Sequence, residues 1–157
     1  MKTKIHAVSA TIAFLMILIF FGSTIIVEFG GDQASIGVVK RFIVYGLFLL
    51  VPSMMAAGIT GNMITPQNKS RIVRNKLKRL KVIIPIGILI LIPCAIILDK
   101  MATSGNFGEL FVGIQALELL AGGVNISLLG MNMRDGFKLS GRFKRNKTGS
   151  FIYNQWD

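Results

Sequence analysis

The sequence is poor in the residues that most protein chemistry uses. Among its 157 residues there is one cysteine, Cys94, and one histidine, His6. A single cysteine excludes an intrachain disulfide and any multi-cysteine metal site. A single histidine excludes a bis-histidine haem within one chain. A Ser-His-Asp or Cys-His catalytic set would have to be built on His6, and no nucleophile motif accompanies it. Acidic residues are also scarce, 7 against 18 Lys and Arg, giving a net charge of +11. Nothing here names an activity, so the chain is read as having no catalysis of its own and no cofactor.

What the chain has in quantity is apolar sequence. Apolar residues make up 52% of it, and the mean hydropathy is +0.63. High charge and high hydropathy are compatible when the charge is confined to segments that leave a bilayer. Four apolar stretches stand out, at about 5–27, 42–60, 82–98 and 110–133. A spanning helix needs about 20 residues, with ~17 as the lower limit, so all qualify. Helices of a soluble bundle would show polar faces, and the first three stretches show almost none. The first is read as a retained helix, because its body exceeds the ~7–15-residue apolar core of a secretory signal. The expected fold is all-α: an integral membrane four-helix bundle, antiparallel and up-and-down. It occupies 1–136 and is followed by a basic, aromatic tail over 137–157.

The basic residues set the expected orientation. All of the 18 Lys and Arg except Lys40, Arg41 and Lys100 lie in the first residues, the connector 69–81 or the tail. Both termini and the middle connector are therefore expected on the cytoplasmic side, in the inner membrane of a bacterium. The connectors near 28–41 and 99–109 are expected outside.

The fourth stretch is unlike the others. Gln115, Glu118, Gly122, Asn125 and Asn132 fall on one stripe of a helix, opposite Leu, Ile and Val. This polar seam is expected to face other helices. Glu118 lies nine residues past Glu109, roughly 13 Å along the helix. A carboxylate at that depth needs a partner or a proton. The expected partners are Tyr45 and, reaching inward, Arg41. Two readings follow. In the first, Glu118 is a hydrogen-bonding clamp and the seam packs against other membrane helices, in an accessory or structural subunit. In the second, Glu118 is the ion site of a small proton- or cation-coupled carrier.

Smaller signals complete the reading. Gly123 with Ser127, and Ser9 with Ala13, form small-xxx-small pairs suited to an intrachain contact, a homodimer or a membrane-protein partner. Pro52 and Pro93 are expected to kink the second and third spans, freeing the carbonyls of Phe48 and Leu89. His6 lies at comparable depth to Met54 and Met55, which gives a third reading, a haem- or quinone-binding redox subunit using His6. The segment 70–80 is expected to be a helix leading into the third span, with Val73, Leu77, Leu80 and Ile84 on one face. Its Arg71, Arg74, Lys78 and Arg79 are expected to face anionic lipid head groups. Gly136 is expected to cap the last helix. In the tail, Phe137, Leu139, Phe143, Phe151, Tyr153 and Trp156 alternate loosely with basic residues, a composition that suits a membrane interface. Without a recognition fold, the basic segments do not indicate nucleic-acid binding.

The run Gln115-Ala-Leu-Glu-Leu-Leu-Ala-Gly-Gly-Val-Asn125, followed by Gly130-Met-Asn-Met-Arg-Asp-Gly136, is similar to the last helix of small uncharacterised four-span proteins of the bacterial inner membrane. The opening Lys4-Ile-His-Ala-Val-Ser-Ala10 resembles theirs as well. The resemblance extends to about Arg142. It implies a bacterial inner-membrane location and no particular activity.

Overall fold

Long apolar runs without turn residues satisfy their backbone groups most simply as helices. The computed structural model, which describes residues 2–64 and 70–139, is built on this principle. It contains α1 (Lys2–Gly30), α2 (Gln33–Ile64), α3 (Arg71–Pro85), a π-helical segment (Ile86–Leu91), α4 (Ile92–Thr103) and α5 (Glu109–Leu139). The stretch Arg71–Thr103 is one rod, so there are four long helices, all long and apolar enough to cross a membrane.

Polar residues extend the helices past the apolar runs. Asp32 caps α2, its Oδ1 accepting from the Ser35 backbone N–H at 2.9 Å. Hydrogen bonds from the side chain and backbone of Ser35 hold the Asp32 carboxyl below the usual carboxylate range. Ser70 caps α3, accepting from the Val73 N–H. Between α1 and α2 the chain reverses tightly at Gly31, whose N–H bonds the Val27 carbonyl at 2.9 Å. A Cβ at Gly31 would sit 2.7 Å from that carbonyl oxygen.

The expected kink in the third span takes another form. Pro93 cannot donate to the Leu89 carbonyl, and the helix just before it widens, the Ile92 N–H reaching back to the Gly87 carbonyl. α2 continues through Pro52 without a break.

The four long helices form a ring. α1 lies beside α2, α2 beside α4, the rod beside α5, and α5 beside α1. α2 and α5 are diagonal: no Cα pair between them comes within 8 Å. The main apolar core joins Ala13, Ile17 and Phe20 of α1 to Ile43 and Leu50 of α2 and Ala95 of α4. A second cluster joins Cys94, Leu98 and Ala102 to Phe111. Two glycines of α5 lie against α1: Gly122 faces the Phe21 ring and Gly130 the Phe14 ring.

Gly46 is the most tightly covered glycine among the described residues. A Cβ there would run into the ring of Phe20, which is itself held edge-on against Phe42 at 6.0 Å. Gly46→Ala is expected to lower stability in detergent by ~1–3 kcal/mol through overpacking. Gly58→Ala, with no atom within 4 Å of its added Cβ, is expected to stabilise by about 0.5–1 kcal/mol. Thermal melts of the two variants check the contrast.

The exterior is apolar where the interior is polar. Phe48 is 80% exposed and Leu120 73%, while Lys40 is fully buried.

Candidate functional site

The polar interior is built at one level of the bundle. Lys40 lies seven residues into α2, Glu118 nine residues into α5, and Cys94 nine residues before the end of α4. At 1.5 Å per residue these are roughly 10–13 Å from the end of the bundle that carries the connectors at 31–32 and 104–108. Lys40 Nζ donates to Glu118 Oε2 at 2.6 Å, with the two side chains 0% and 12% exposed. The bond spans the diagonal between helices whose backbones do not touch. Lys and Glu are long enough to meet there.

Glu118 therefore has a different partner from those expected. Arg41 instead pairs with Asp99 at 3.0 Å and donates to Thr103 Oγ1 at 2.6 Å. Tyr45 is 64% exposed. The reason is helical phase. Residues 40 and 41 differ by about 100° around the axis, and Lys40 shares its stripe with Ile43, Leu47 and Leu50. That i, i+3, i+7, i+10 series was the available signal, hidden because Lys40 was assigned to a connector.

The seam of α5 is turned inward. Gln115, Gly122, Asn125 and Asn132 are all buried. It meets helices of its own chain. Gln115 Nε2 lies 3.5 Å from Glu118 Oε2, while Gln115 Oε1 and Asn125 Oδ1 are buried without a partner. Cys94 lies within Coulombic reach of both Glu118 and Lys40.

Charged groups also close both ends of the bundle. At the connector end stands the exposed Arg41–Asp99–Thr103 set, joining α2 to α4. At the opposite, basic end, Arg79 Nη1 donates to Asp135 Oδ2 at 2.6 Å and to Asn132 Oδ1 at 3.2 Å, tying α3 to α5. Arg79 thus turns inward, contrary to the expectation that it faces lipid; Arg71, Arg74 and Lys78 are exposed. α3 is rotated relative to the expected apolar face, burying Val73 and Ile83 while Leu77 and Ile84 are exposed. The Arg79 bonds to α5 account for that rotation. They also hold α5 helical through Gly136 to Leu139, so Gly136 is not a cap. Of the tail's aromatic residues, Phe137 belongs to α5, and Phe143, Phe151, Tyr153 and Trp156 lie outside the described residues.

His6 is engaged by α2. Its Nδ1 donates to the Ala57 carbonyl at 2.9 Å, and its ring lies against Gly61, where a Cβ would sit 3.0 Å from Cε1. Only Nε2 is left for a ligand. Among the described residues no group of three or more His, Cys, Asp and Glu is placed to hold a metal ion.

No family model, no curated protein and no solved structure matches this chain significantly.

Proposed function

We propose that this is a four-span protein of the bacterial inner membrane, with both termini cytoplasmic and no catalysis of its own. We propose further that it is a small proton-coupled carrier whose exchange site is the Lys40–Glu118 pair. The inside-out distribution of polarity supports the membrane location, because a soluble bundle would not bury Lys40 and expose Phe48 and Leu120.

The observation that carries the carrier reading is the buried diagonal ion pair. An ionisable pair inside a membrane bundle marks an ion or proton pathway more often than a strut. A strut alone does not need charge, since apolar replacement of a buried ion pair is often neutral or stabilising. Protonation of this pair has a structural consequence. A proton on Glu118 leaves Lys40 as an uncompensated buried cation. The cost is relieved only if Lys40 releases a proton, which restores neutrality, or if the bundle opens to water, which solvates the charge. Proton arrival and opening are thereby linked. The Arg41–Asp99 and Arg79–Asp135 contacts stand where such openings would occur, one at each end. The unpartnered oxygens of Gln115 and Asn125 would accept from water or a hydroxyl on the way.

Liposomes carrying the purified protein and an imposed pH gradient test this. The gradient should collapse faster with the wild type than with a Lys40→Met/Glu118→Leu variant. Equal rates would remove the carrier reading and leave the pair as a structural element.

A further inference from the structure

The basic end of the bundle holds an excess of positive charge that the protein itself does not balance. Asp135 is the hub. Arg79 binds it at 2.6 Å and Arg134 lies 3.6 Å from its other oxygen. Lys138 and Lys76 are within Coulombic reach. One carboxylate thus faces the cations Lys76, Arg79, Arg134 and Lys138. Arg79 is used up in joining α3 to α5. Lys76 is not: it is part-buried and forms no ion pair among the described residues, its Nζ lying over Gly136, where a Cβ would come within 3.6 Å. With no side chain at Gly136, the Lys76 ammonium comes down over α5 there, and the cations around it form a basic niche at the α3–α5 seam. Exposed apolar side chains are close by in the sequence, Leu77 next to Lys76 on α3 and Phe137 and Leu139 just after Gly136 on α5.

We propose that this niche binds a phosphate oxyanion, and that its source is the head group of an anionic phospholipid. Lys76 is the central donor, with Arg134 and Lys138 at the rim. A phosphate diester supplies the missing negative charge and acceptor oxygens. Its acyl chains would lie along Leu77, Phe137 and Leu139, where a free anion would gain nothing. The inference is independent of proton transport at Lys40 and Glu118. It places the lipid contact in the α3–α5 niche and not on the outer face formed by Arg71, Arg74 and Lys78.

Native mass spectrometry of the delipidated protein with added phosphatidylglycerol or phosphatidylcholine tests it. The wild type should retain one phosphatidylglycerol in preference to phosphatidylcholine. Lys76→Gln should weaken that binding by roughly fivefold or more, while Arg71→Gln should change it less. Because Lys76 bonds no other residue among those described, Lys76→Gln should melt as the wild type does. Equal retention of the two lipids, or equal losses in the two variants, would overturn the site. Displacement of the lipid by millimolar inorganic phosphate would assign the niche to a free anion and overturn the lipid source.

Discussion

Glu118→Leu will cost more stability than Lys40→Met, and the double variant Lys40→Met/Glu118→Leu will recover most of the loss. Removing Glu118 leaves the fully buried Lys40 ammonium unpaired, a change expected to cost ~3–5 kcal/mol. Removing Lys40 leaves a carboxylate that keeps 12% exposure and the Gln115 amide nearby, so the loss is smaller. With both charges gone there is nothing left to desolvate, and two apolar side chains can fill the same diagonal. A double-mutant cycle on unfolding in mild detergent measures this directly. Additive losses would show that the pair does not bridge α2 and α5.

Asn125→Leu is expected to stabilise the protein and impair its action. The Asn125 side chain is 1% exposed and its Oδ1 has no partner. Leaving a buried acceptor unsatisfied costs about 1–3 kcal/mol, so a leucine of similar shape should raise stability by up to that amount. If Asn125 is instead a clamp between helices, the same change should destabilise. The carrier reading adds a second outcome. An apolar residue below Glu118 removes an acceptor for water, so proton movement should fall even as the melting temperature rises. Stability gained together with activity lost is the usual result of replacing a polar group retained for function. A variant that is more stable and equally active would show that Asn125 lies off the pathway.

The helices were legible in the sequence because apolar runs of this length leave little choice. The inward stripe of α5 was legible because Gln115, Glu118, Asn125 and Asn132 repeat with helical spacing. The partner of Glu118 was not. Membrane-topology reasoning treats Lys and Arg beside a span as loop residues, and α2 begins nine residues before Phe42, so Lys40 belongs to the helix. Choosing between Lys40 and Arg41 required the phase of α2, which is fixed by packing of Ile43 and Leu50 on α1 and α4. Arg79 was misplaced for a related reason. The charges of α3 surround the helix, so composition does not distinguish the Arg that turns toward Asp135 from those that face outward. The π-helical segment was hidden as well, because Pro93 predicts a missing hydrogen bond but not how the helix accommodates it.

The central claim is that the Lys40–Glu118 pair exchanges protons with solvent although the bundle is closed around it. Modification by a water-soluble carbodiimide, mapped by peptide mass spectrometry, tests it most directly. Glu109, exposed at the start of α5, is the internal control. Glu118 should react more slowly than Glu109, but measurably. A Glu118 that stays unmodified at every pH while Glu109 reacts to completion would contradict the account.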